Sequence, residues 1–208
     1  MKVKFDRYFQ FALWLGLFTV LYNVLEGLVS IFFGAQDEAL TLFGFGIDSF
    51  IEVLSGLGIV VMVLNIRRNP DSPRSPFESA ALRVTGISFY LLSAGLAITA
   101  IYNLITGHKP TTTLPGVIIS LVSIAMMAAL LAGKRRVGQT LQSAPILADA
   151  NCTLVCIYMS IVLLASSLIY KVTGFGLVDS IGAFGLIFFS FQEGRESLER
   201  AAGKNEDD

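Results

Sequence analysis

Apolar residues in this chain run in long blocks, without the alternation of a half-buried strand or the narrow stripe of a surface helix. Six blocks stand out, at about 8–33, 39–66, 84–107, 114–133, 145–171 and 174–195. Each holds the roughly 20 residues with which a helix, rising about 1.5 Å per residue, crosses about 30 Å of hydrocarbon. The pattern predicts an all-α membrane protein of six transmembrane helices. The connections are short on one side (34–38, 107–113 and 172–174) and longer on the other, where Arg67 to Arg83 carries Pro70, Pro73 and Pro76. Residues 1–200 therefore read as one six-helix transmembrane domain and 201–208 as a short charged tail, with no soluble C-terminal domain expected.

Composition agrees, with 54% hydrophobic and only 15% charged residues, against about 25% charged in an ordinary soluble domain. A formal charge of −1 offers no basic surface for nucleic acid and no acidic disordered tail. The cations instead sort by side. Lys2, Lys4, Arg7, Arg67, Arg68, Arg74, Arg83, Lys134, Arg135, Arg136, Arg195, Arg200 and Lys204 fall on one side of the predicted spans, and only Lys109 and Lys171 on the other. Positive residues favour the cytoplasm, so both termini are expected there. The opening MKVKFDR has the charge of a secretory signal, but the run after it is too long and contains Glu26, so it reads as a first span that stays. The expected location is a multi-pass place in a prokaryotic cytoplasmic membrane.

Chemistry is sparse, and it is concentrated at membrane depth. Five carboxylates lie within or at the edge of the spans: Glu26, Asp48, Glu52, Asp149 and Asp179. A charge near the bilayer centre costs about 2.5–3.5 kcal/mol on insertion scales, so each central acid needs compensation. On this reading no Lys, Arg or His sits well inside a span, which leaves a proton, a water-filled cavity or a bound metal ion. Asp48 and Glu52 are four residues apart, one turn on the same helical face, so both carboxylates can converge on one point. Two neutral acids hydrogen-bonded to neighbouring helices are the structural alternative.

Cys152 and Cys156 repeat that spacing in the fifth span. Thiolates are soft ligands, and two of them with two carboxylate oxygens make a four-coordinate site suited to Zn²⁺, with Cd²⁺ as a mimic and Fe²⁺ or Co²⁺ as weaker fits. Buried cysteine as a small hydrophobe is the competing explanation. A disulfide between them is not expected, because four-residue helical spacing does not supply the bridge geometry.

The stretches FGIDSFIEVLSG (43–54), ADANCTLVCIYMS (148–160) and VDSIGAFGLIFFSFQEGRESL (178–198) resemble the transmembrane part of the cation diffusion facilitator family. The resemblance covers nearly the whole chain. It implies export of a divalent metal, mostly Zn²⁺ in that family, in exchange for protons and by a homodimer. It also implies a metal site on Asp48, Glu52, Cys152 and Cys156, which occupy the positions of the family's two ligand pairs. Two departures stand out: cysteines replace the usual His and Asp of the fifth span, and neither the family's cytoplasmic metal-binding domain nor a His-rich loop is expected.

Glu26 and Asp149 are candidates for an additional metal or proton site. Asp179 suits the start of the sixth span, where the helix dipole favours an acid. Asn23, Asn103 and Asn151 could donate to ligands, and His108 falls outside the membrane. No catalytic residue is expected. The partners implied are a divalent metal ion as cargo, protons as counter-ion, the lipid bilayer and a second copy of the chain, contacting through Gly86, Ser88, Ser93 and Gly95 of the third span and Gly182, Ala183 and Gly185 of the sixth. Two rivals remain. One is a non-transporting metal sensor or structural subunit on the same helices. The other, an enzyme with a thiol nucleophile, lacks a nearby base.

Overall fold

The computed structural model describes residues 2–36, 40–69, 73–107, 114–173 and 177–203. Their fold is six helices in chain order: α1 Lys2–Gln36, α2 Leu40–Arg68, α3 Ser75–Thr106, α4 Leu114–Leu141, α5 Ala144–Thr173 and α6 Leu177–Ala201. His108 and Lys109, the side chains of Asn103, Lys171 and Asp179, and the surroundings of Gly182 lie outside what is described. Five of the helices, α1 to α5, are long and apolar enough over their described residues to cross a membrane. The sixth packs along α3, and its last turns carry the exposed Arg195–Glu199 pair.

Three helices start on proline in the first turn, at Pro76, Pro115 and Pro145. A missing N–H costs nothing there, because that donor has no intrahelical partner. α4 and α5 are joined by only two residues. The turn closes with Ser143 N–H donating to the Gly138 carbonyl at 3.0 Å while Gln142 takes a left-handed φ of 51°, a helix end that glycine usually occupies.

Backbones approach closely within two helix pairs. A Cβ at Gly27 would stand 3.0 Å from the Gly46 carbonyl oxygen, and one at Gly46 2.9 Å from that of Gly27, so α1 and α2 meet glycine to glycine. α3 and α6 do the same at Gly86 and Gly194. This corrects one expectation. Gly86 faces Gly194 and Ser93 donates to the Ile187 carbonyl, so these small residues of the third span serve packing inside one chain and are not free for a partner. A Cβ at Gly185 would meet nothing within 4 Å among the described residues.

Along α2 the interior is layered. Phe45 belongs to an apolar cluster with Phe89, Leu92, Cys152, Val155, Met159 and Leu186. Ile59, Met62 and Val63 belong to another, with Phe9, Ala12, Ala81, Val137, Leu141 and Ile146. Arg74 lies over the Phe9 ring at 5.2 Å and pairs with Glu78 at 2.6 Å, binding α1 to the start of α3 at that end. Between the two apolar layers, Asp48, Glu52 and Ser55 are all buried.

Candidate functional site

That polar layer draws on four helices. From α2 come Asp48, Glu52 and Ser55, from α3 Thr85, from α4 Lys134 and from α5 Asp149 and Thr153, every one of them buried. The unforeseen member is Lys134, only 1% exposed. Its ammonium stands 2.9 Å from Asp149 Oδ2 and 3.7 Å from Glu52 Oε1, and it donates to Thr153 Oγ1 at 2.7 Å. Thr153 in turn donates to Glu52 Oε1 at 2.5 Å. The expectation that no cation lies inside the spans is therefore wrong: the central acids have a lysine partner within the chain.

The reason is in α4. Its buried residues include Ser120, Ser123, Met127, Leu130, Lys134, Val137 and Leu141, spaced alternately by three and four. That is the inward stripe of a packed helix. Lys134 falls on the stripe, whereas Arg135 and Arg136, turned about 100° and 200° further round, are exposed. A hydropathy reading ends the span at the Lys-Arg-Arg run and sends all three to water. The helix instead continues to Leu141 and returns at once as α5, which places position 134 beside Asp149 and Thr153.

Asp149 has a partner for each oxygen, Ser55 donating to Oδ1 at 2.8 Å and Lys134 to Oδ2. Ser55 also shares a hydrogen bond of 3.1 Å with Thr85. Glu52 is different. It is 0% exposed, and its Oε2 has no hydrogen-bond partner among the described residues. A buried acceptor left open loses its hydration without return, so such an atom requires an explanation.

Of the four ligand candidates, Glu52 and Cys156 are neighbours across α2 and α5. Asp48 turns toward α3, where a Cβ at Gly95 would lie 3.8 Å from its Oδ1. Cys152 packs in the apolar cluster with Phe89 and Leu92, though still within electrostatic reach of Glu52, Asp149, Lys134 and Asp48. Both thiols are free and buried. Among the described residues, no three His, Cys, Asp or Glu side chains are gathered closely enough to hold a metal ion. The four candidates thus share one buried region without forming one coordination shell in this conformation.

Glu26 lies apart from the lysine. Tyr22 donates to its Oε1 at 2.9 Å and Ser49 to its Oε2 at 3.1 Å. Asn23 donates to the Thr19 carbonyl, and Asn151 donates to Glu193 Oε2 at 2.8 Å, tying α5 to α6. Neither asparagine donates to the central acids.

Six helices around a buried set of acids, thiols and one base can bind a cation, and comparison with known proteins fixes the lineage. The profile of the cation efflux transmembrane domain matches residues 16–202. The chain belongs to the cation efflux family. None of the curated proteins compared matches it. Cation efflux proteins are divalent cation transporters and not enzymes, which sets aside the thiol-nucleophile rival at the level of the family. As a cation efflux domain, the chain is an integral, multi-pass membrane protein whose substrate is a metal ion.

Proposed function

We propose that this cation efflux domain carries Zn²⁺ from the cytoplasm to the outside in exchange for protons, binding it at Glu52, Asp48, Cys156 and Cys152. The observation that supports this reading most is Glu52. It is a fully buried carboxylate with one oxygen unpartnered, beside Cys156 and one turn from Asp48, in a chain of this family. Thiolate and carboxylate together suit Zn²⁺ and disfavour harder ions such as Mg²⁺. Because ligands must be deprotonated to bind, loading releases protons, and protons arriving from outside favour release.

The apolar layer of Phe9, Ile59, Met62, Val137 and Ile146 stands between the polar centre and the end of the bundle that holds the N-terminus of α1 and the C-terminus of α2. An ion from that side reaches Glu52 only when the helices part, which is the rocking expected of a carrier. Both termini are taken to be cytoplasmic, and two copies to act together.

One observation favours the rival of a non-transporting subunit. Lys134 already neutralises part of the acid charge that an ion would meet. Flux decides between the two. In proteoliposomes with an internal pH dye, Zn²⁺ movement with counter-moving protons is expected, and Glu52→Gln should reduce it at least about 100-fold, since its interaction with the ion is a direct ligand bond. Absence of flux from well-folded protein would support the rival. Orientation is checked by a single cysteine at Gln142, exposed in the α4–α5 turn. In a background without the native thiols, an impermeant maleimide should label it from the cytoplasmic side alone.

A further inference from the structure

Lys134 is a poor fit to a purely structural role. One ammonium faces two acids, so the cluster carries an excess of negative charge when all three groups are ionised. Its two contacts are also unequal. At 2.9 Å the Asp149 contact is a charge-assisted hydrogen bond, whereas 3.7 Å to Glu52 is beyond hydrogen-bonding distance and leaves attraction alone. Glu52 is reached through Thr153 instead, and its other oxygen stays open. A lysine side chain is a point charge on a flexible four-carbon stem, so it can leave one acid while keeping the other.

Resting on the reading of this centre as a cation site, we propose that Lys134 is a tethered stand-in for the transported ion. Its ammonium compensates Glu52 in the ion-free protein, and a divalent cation reaches Glu52 by displacing it toward Asp149. The lysine and the ion carry like charge and share one acid, so they compete. Lys134 thus keeps the empty carrier from stranding a bare carboxylate at membrane depth, where such a charge is costly. It also weakens the grip on the ion. Because the stem is anchored on α4 while the acids belong to α2 and α5, occupancy by an ion loosens α4 from α2 and leaves it joined to α5.

The test measures Zn²⁺ affinity of the purified full chain in detergent, by competition with a chromophoric chelator, for the native protein, K134M, the double variant K134M/D149N and E52Q. Fold is checked by size-exclusion profile. The double variant removes the ammonium together with its closest counter-charge, so it keeps the balance if K134M does not fold. Removing the competitor should tighten Zn²⁺ binding at least tenfold in every lysine variant that folds. Unchanged or weaker binding in a folded lysine variant, with E52Q binding poorly, would overturn the proposal and make Lys134 a structural partner of Asp149. If E52Q binds Zn²⁺ as well as the native chain, the cation-site reading itself fails and the stand-in falls with it. The two failures are thus told apart.

Discussion

Glu26 and Asp149 are both acids buried between helices, and the bundle holds them in opposite ways. Glu26 receives two hydroxyls, Tyr22 from its own helix and Ser49 from α2. Asp149 receives one hydroxyl, Ser55, and one ammonium, Lys134. Hydroxyls can serve a carboxyl group whether or not it carries a proton, whereas an ammonium compensates only the charged form. The Glu26 site therefore tolerates either state, and the Asp149 site is built around charge. The first arrangement resembles helix-to-helix glue; the second ties a cation of the chain into the layer that would receive a cation from outside it.

Breaking the charged arrangement should have the largest effect. Asp149→Asn leaves the buried Lys134 ammonium with the Thr153 hydroxyl and, as counter-charge, only the more distant Glu52, and removing one partner of a buried pair costs about 3–5 kcal/mol. Thermal unfolding in detergent should show a drop far larger than that of Glu26→Gln. Adding Lys134→Met to Asp149→Asn should recover most of the loss, because the stranded charge goes with it. Equal melting points for Asp149→Asn and Glu26→Gln would erase the contrast between the two acids.

Much of this molecule is written in its hydropathy. Residues 40–66 of the second block and 84–106 of the third lie within α2 and α3, and the pairs at 48 and 52 and at 152 and 156 are placed in the interior. Lys134 is not legible in that way, because a span reading treats a run of cations as an end. A helical reading would have found it, since the spacing from Ser120 through Met127 and Leu130 passes through Lys134 to Val137 and Leu141. Thr153 and Ser55 were equally hidden: a hydroxyl carries no hydropathy signal, and its importance depends on the acid that the neighbouring helix brings to it. The pairing of Gly27 with Gly46 and of Gly86 with Gly194 required knowing which helices are neighbours, and residue spacing within one helix does not say so.

The two thiols offer a second, smaller contrast around the charged acid. Cys156 neighbours Glu52, while Cys152 is packed among Phe89, Leu92 and Leu186. If the ion is held from the Glu52 side, hardening the Cys156 position should matter more. Cys156→Asp should lower the preference for Cd²⁺ over Zn²⁺ by about tenfold in a competition flux assay, since carboxylate still suits zinc but not the softer ion. Cys152→His alone should shift it less. An unchanged ratio in the double variant would show that neither thiol touches the ion.

The smallest effects belong to Glu26, and they test whether it is glue or a proton carrier. Tyr22→Phe deletes the donor to Oε1 and leaves Ser49 on Oε2. The loss of one such bond is worth about 0.5–1.5 kcal/mol. Tyr22 is also partly buried and stacks on Phe18 with ring centroids 6.2 Å apart, a contact that phenylalanine preserves. The melting point should therefore fall by a few degrees at most. Glu26→Gln keeps an acceptor for one hydroxyl but presents donors to the other, so a loss of similar size is expected, with Zn²⁺ flux reduced less than about threefold. A carrier of the counter-moving proton behaves otherwise. Glutamine cannot release a proton, so uncoupled or abolished flux with an unchanged melting point would move Glu26 from the helix contact into the transport cycle, and the division between the two acids would then be one of timing within that cycle.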